Sequence, residues 1–218
     1  LEKFVLLRKE SSLASANSTN QLERRMRPGA YSQEGFLGFE ESLEFVLAQD
    51  EQTLTKLGVT FEKITGRLEK IVRAALEQEY KLENPVSRKR AQYFPNLHQN
   101  RENQVFTPEN LPSLEVGYLI DKYQVFFSGT RGLQECPWDC HLNDSWSSFI
   151  FLLLNRQTGE YIVAPGLIVH LIREHHFFEG IESSYRIMNI CRTRTSTRSS
   201  EMRLLFIIVA LTLQNLWI

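Results

Sequence analysis

The sequence predicts an α+β protein: an N-terminal helical hairpin plus a small antiparallel sheet with one C-terminal helix. Two patterns carry this reading. Residues 40–83 repeat apolar side chains at helical spacing, whereas residues 116–164 concentrate β-branched and aromatic residues between turn signals, and a last helical period follows at Leu167–Phe178. The chain divides accordingly into a disordered extension (1–25), the hairpin (26–83), an irregular connector (84–115), a β-hairpin/helix unit (116–186) and an atypical tail (187–218).

Residues 1–25 are polar and turn-rich, with Ser11, Ser12, Ser15, Asn17, Ser18, Thr19 and Asn20. Because the chain begins with Leu, Met26 is the expected genuine start, and the residues before it are expected to have little structural duty. Leu43, Val46, Leu47, Leu54 and Leu57 then share a helical face, with Gly58 at the position that follows a helix end. Thr60 is placed to cap a second helix whose stripe is Ile64, Leu68, Ile71, Ala75 and Leu76, running to about Leu82 before Pro85 stops it. The Gly58 turn also has helix-turn-helix spacing. Residues 40–83, however, carry six Lys and Arg against ten Asp and Glu, the wrong sign for a groove binder.

Pro85, Pro95, Pro108 and Pro112 mark the connector. Val116–Phe127 is expected as a strand ended by Ser128-Gly129-Thr130-Arg131-Gly132, and Phe149–Leu154 with Glu160–Ala164 as a hairpin whose loop uses Gly159 in a left-handed conformation. Leu167–Phe178 is expected as a helix ended by Gly180.

Over the whole chain 25 Lys and Arg nearly balance 26 Asp and Glu. No global field therefore favours nucleic acid or an anionic surface. Three Cys form no disulfide framework, and no leader-like apolar segment opens the chain, so a reducing, cytoplasmic setting is expected. The partner is not legible. The apolar run Leu204–Leu213 is shorter than the roughly 20 residues that span a bilayer. It reads as a docking helix or strand, a tail anchor or out-of-frame sequence, since its composition breaks with what precedes it.

The chain holds three Cys and five His, and six of these lie between Cys136 and His176. Two thiolates and two imidazoles suit tetrahedral zinc. The expected ligands are Cys136, Cys140 and His170, with His175 or His141 as the fourth, and zinc is the implied cofactor. The spacing of five from His170 to His175 turns a helix about 500°, roughly 140° past a full turn, so both ligate only if the helix tightens or ends near His175. Ordinary packing of buried thiols and a hydrogen-bonded His is the competing reading. A reversible thiol pair is another, although Cys136-Pro-Trp-Asp-Cys140 has one residue more than the redox spacing. A nucleophilic enzyme needs an imidazole beside a Cys, oriented by Asp139 or Glu174. No nucleophile elbow, His-Glu-x-x-His run or phosphate loop supports that, and no catalytic residue is assigned.

A loop with two Cys, then a hairpin, then a His-bearing helix resembles the treble-clef zinc fold over residues 136–178. More widely, Arg27-Pro-Gly29, Gly35-Phe-Leu-Gly38, Leu57–Ile64, Gly132-Leu-Gln-Glu-Cys-Pro-Trp138 and Gly166–Gly180 resemble segments of a group of small uncharacterised bacterial proteins, across residues 26–186. That likeness implies no activity. The expected function is a non-enzymatic binding or regulatory module with a structural Cys/His cluster; the alternative is a small thiol- or metal-dependent enzyme using the same residues.

Overall fold

A computed structural model describes residues 19–32, 35–81, 111–141, 144–159 and 161–180. The architecture is α+β, as expected. A helix through residues 19–26 (α1) precedes Leu43–Leu57 (α2) and Phe61–Lys81 (α3). Strands Tyr118–Ile120 (β1), Tyr123–Glu135 (β2), Trp146–Asn155 (β3) and Tyr161–Pro165 (β4) follow, then the helix Ile168–His175 (α4). The strands form an antiparallel meander in the order β1-β2-β3-β4.

Capping explains the helix boundaries. Ser42 Oγ accepts from the Phe45 N–H at the start of α2, and Gly58, at φ 63°, closes its end by donating to Leu54 and Thr55 carbonyls. A side chain resists that left-handed conformation, which is why glycine stands there. Thr60 Oγ1 then accepts from the Lys63 N–H at 3.2 Å and starts α3. The α2 stripe is divided in use. Leu54 joins Ile64, Leu68, Ile71, Val72 and Ala75 of α3 in the main core, while Leu43 and Val46 join a second core with Leu167, Leu171 and Phe177.

The strand pattern differs from expectation at two points. The turn lies at Asp121-Lys122, inside the stretch expected to be one strand; Ile120 pairs with Tyr123, and Asp121 accepts φ 57°. Asp tolerates that conformation better than the flanking β-branched and aromatic residues. Ser128–Gly132, expected to end a strand, instead lies inside β2, where the pairing register with β3 shifts between Gly129 and Gln134. Two glycines and small polar residues there make a bulge rather than a turn. The Gly159 loop, at φ 77°, is as expected.

β3 is buried on both sides from Ile150 to Asn155. Phe151 and Leu153 face the main core with α3 and α4, whereas Ile150, Leu152 and Leu154 pack with Phe126 and Tyr161 on the opposite face. A continuous apolar run, not an alternating one, is what a strand covered on both faces needs. The second face is covered by residues 111–116, held by the buried Gln124, whose side-chain amide donates to Ser113 O at 2.8 Å and Val116 O at 2.5 Å. Arg156 adds a bond to Pro112 O at 2.7 Å.

Two expectations change at the ends. Residues 19–26 are helical, not a structureless extension, because Leu22 and Met26 pack into the second core and Glu23 Oε1 accepts the Leu43 N–H at 2.8 Å. The last helix stops at His175, three residues short of the expected end at Phe178, with His176 taking the left-handed position at φ 55°. Stacking of the His176 ring on Phe61, centroids 4.0 Å apart, holds that earlier exit. The expectations for residues 1–18, most of the connector (82–110) and the tail with its apolar run lie outside the described residues. Among the described residues, no helix is long and apolar enough to cross a membrane.

α4 is wedged between two cores: Ile168 and Ile172 face the sheet and α3, Leu167 and Leu171 face α2. Gly166 permits the close approach of the β4–α4 turn to β3, since a Cβ there would lie 2.4 Å from Ser147 Oγ. Leu171 is fully buried. Leu171→Ala is therefore expected to cost about 2–5 kcal/mol of unfolding free energy in a denaturant titration; a loss under about 1 kcal/mol would make α4 peripheral.

Asp50 is a buried carboxyl on α2 that accepts the Phe178 N–H at 3.3 Å. Burial pushes its pKa up to about 8, the Phe178 bond opposes this, and Glu41 adds to the rise. The folded chain then holds a proton that the unfolded chain loses near pH 4, so stability falls as pH rises between about 4 and 8, by up to about 1.4 kcal/mol per unit. Asp50→Asn keeps the acceptor and removes the charge. Denaturation midpoints measured across that range should fall less steeply for the variant; identical slopes would show that Asp50 ionises without cost.

Candidate metal centre

The end of β2, the loop after it and α4 bring four side chains together. One ligand atom each from Cys136, Cys140, His170 and His175 lies within 4.8 Å of all the others. His175 Nε2 is 3.3 Å from Cys136 Sγ and 3.2 Å from Cys140 Sγ. Both thiols are free. The geometric condition on the two His residues is met by the helix ending at His175: His170 lies in the first turn of α4 and His175 at its last residue.

Local turn chemistry sets the loop. Cys136 N–H donates to Ser145 O at 2.8 Å, Asp139 N–H donates to Cys136 O at 3.1 Å, and Asp139 adopts φ 54°. Ser145 Oγ closes it from the other side by donating to Cys140 O at 2.9 Å. The N-terminal segment clamps the loop tip: Arg25 donates to Pro137 O at 3.1 Å and pairs with Asp139, which also accepts from Tyr31 Oη at 3.2 Å. Trp138 lies flat on the His175 ring, centroids 4.0 Å apart and planes 3° apart, with its edge toward Phe177. These contacts fix both the loop and the imidazole that touches both sulfurs.

Burial shifts Cys136 and His175 toward their neutral forms. Burial pushes the Cys136 thiol up to about 12, and the Cys140 thiol adds to the rise, although the Trp138 and Cys140 backbone N–H groups point at the sulfur and favour its thiolate. Burial, then the nearby His170 charge, pushes His175 down to about 4. His170 is 1% exposed; its Nδ1 lies 3.2 Å from Asp144 Oδ1, and its buried Nε2 has no hydrogen-bond partner among the described residues. Asp144 in turn pairs with Arg173, and although burial raises its carboxyl, the Arg173 hydrogen bond and charge hold it below its ordinary value.

His141, the other expected fourth ligand, is exposed and stands outside the group of four. Neither residue expected to orient an imidazole does so: Asp139 is engaged by Arg25 and Tyr31, and Glu174 by Arg173. That role falls to Asp144, which lies 26 residues from His170 and has no periodic relation to it. Arg25 was missed with the extension, and Tyr31 carried no signal. Trp138, between the two Cys, was visible but carried no ligand signal.

The Met26, Phe36-Leu37 and Gly180 segments meet in space. Phe36 and Leu37 N–H groups donate to Met26 O at 2.7 and 3.1 Å, and Gly180 N–H donates to Phe36 O at 2.7 Å. Arg27 reaches Glu41 O at 2.7 Å. Met26, Phe36, Leu37, Leu167, Leu171 and Phe177 share the second core with Cys136. No family model, curated protein or solved structure matches the chain.

In metal-free protein the His175 ring is expected to stay neutral through pH 6 and to titrate near 4, read from its ring resonances by NMR against the exposed His141. Because its folded pKa lies below the ordinary 6.5, stability carried by the neutral ring is complete above about pH 6.5 and is lost as pH falls toward 4. A His175 midpoint near 6.5 would mean that the ring is not packed between Trp138 and the two sulfurs.

Proposed function

We propose that the chain is a non-enzymatic binding or regulatory module whose Cys136, Cys140, His170 and His175 hold one structural Zn²⁺. The carrying observation is the orphaned His170 Nε2, buried at a site where an imidazole and two thiols already converge. A buried ring nitrogen without a partner costs roughly 1–3 kcal/mol, and coordination removes that cost. The donor set supports zinc specifically, since two sulfurs and two imidazole nitrogens are borderline-soft and match tetrahedral coordination. With Zn–S about 2.3 Å and Zn–N about 2.0–2.1 Å, a tetrahedral S···N edge is about 3.5 Å, near the 3.2 and 3.3 Å observed.

The structural role follows from closure. Four protein ligands leave no position for a reactive water. A thiol raised to about 12 by burial is the opposite of an activated nucleophile, which disfavours the thiol-enzyme reading. Metal binding would tie the β2 end to the C-terminal end of α4 and, through Trp138, Pro137 and Asp139, to the Arg25–Tyr31 segment. The resemblance to the treble clef supports the reading in chain order, with the difference that His175 is at the end of the helix rather than in its first turns.

Protein purified without a His tag should contain about one zinc per chain by elemental analysis, and Cys136→Ser should lose most of it. Uptake should release protons and tighten as pH rises, because the thiols must ionise to bind. Metal far below one equivalent, with an unchanged melting transition in chelator, would leave the four residues as ordinary packing.

A further inference from the structure

Among the described residues, Asp144 is the carboxylate hydrogen-bonded to one of the four converging side chains. Its Oδ1 lies 3.2 Å from His170 Nδ1, and its other oxygen takes the Arg173 guanidinium. Arg173 also bonds Glu174 at 2.7 Å and lies 3.6 Å from Glu69 of α3, so it anchors the carboxylate from the helix side. Asp144 itself is about half exposed, at 47% for its side chain. The ring it meets is not: the opposite nitrogen, Nε2, is buried and makes no hydrogen bond among the described residues.

An imidazole has one donor and one acceptor nitrogen when neutral, and the hydrogen bond made by one decides what the other presents. A carboxylate at Nδ1 can only accept, so the proton sits on Nδ1 and the Nε2 lone pair is left to the site. We propose that Asp144 is a positioning residue of the metal centre, holding His170 in the tautomer and ring orientation that turn Nε2 toward the metal. This rests on the zinc reading and deepens it: the centre has an outer carboxylate, and Arg173 fixes that carboxylate to α3 and α4. Such outer partners raise the basicity of the ligating nitrogen and remove the rotational freedom of the ring.

The test compares the full chain with Asp144→Ala and Asp144→Asn. Zinc affinity is measured by competition with a chromophoric chelator, the d–d spectrum after Co²⁺ loading, and the His170 tautomer by ¹⁵N NMR of metal-free protein. Asp144→Ala should weaken zinc about 10–100-fold and shift the His170 nitrogens away from the Nδ1–H pattern. Asp144→Asn, whose amide oxygen still accepts from Nδ1–H, should recover part of both. Metal-free melting temperatures should agree within about 4 °C, because a half-exposed ion pair contributes little to folding. Wild-type binding with both variants within twofold and an unchanged tautomer would overturn the inference and leave the zinc reading standing. No zinc or cobalt uptake by the wild-type chain would overturn the zinc reading and this inference with it.

Discussion

The contact of one imidazole nitrogen with two sulfurs organises the Cys loop, the end of α4 and the second core. His175 Nε2 can sit 3.2–3.3 Å from both Cys136 and Cys140 only because α4 ends at that residue and the Cys loop folds back through the Asp139 turn. The helix end is set by His176, which takes a left-handed conformation and stacks on Phe61 of α3. The loop is set by Ser145 on one side and by Arg25 and Tyr31 on the other. Elements more than 100 residues apart in sequence therefore meet at one small buried group.

The two cores divide the labour. The larger one, between the sheet and α3, buries Tyr123, Val125, Phe151 and Leu153. The smaller one is built from short segments: part of α2, the Met26 and Phe36-Leu37 loop, and one face of α4. Segments of that length bury little apolar area relative to the backbone entropy they lose. Cys136, Cys140 and Trp138 border this weaker core, which is where a metal cross-link adds most. Asp50, a carboxyl buried nearby and bonded to the Phe178 backbone, makes the same region sensitive to pH.

Much of this was legible in residue patterns. The α2 and α3 boundaries followed from Gly58, Thr60 and the apolar stripe, and the clustering of Cys136, Cys140, His170 and His175 followed from the few Cys and His in the chain. What sequence could not reveal depended on tertiary contacts. The helix at residues 19–26 is held by Met26 and Leu22 packing into the second core, a contact that the polar segment did not announce. The bulge at Gly129–Gln134 and the turn at Asp121-Lys122 were exchanged because glycines signalled a turn more strongly than Asp-Lys did, although Asp121 is the residue that takes positive φ. His175 was the expected fourth ligand, with His141 as its alternative, and the helix end at His175 accounts for that choice; Asp144 had no sequence signal.

X-ray absorption at the zinc edge of protein purified from cells tests the central claim most directly, because it reads the ligands of the bound metal. Two sulfur scatterers at about 2.3 Å and two imidazole nitrogens at about 2.0–2.1 Å are the result the account predicts. A shell of oxygen and nitrogen without sulfur would contradict it, since the metal would then lie away from the contact between His175 and the two cysteines.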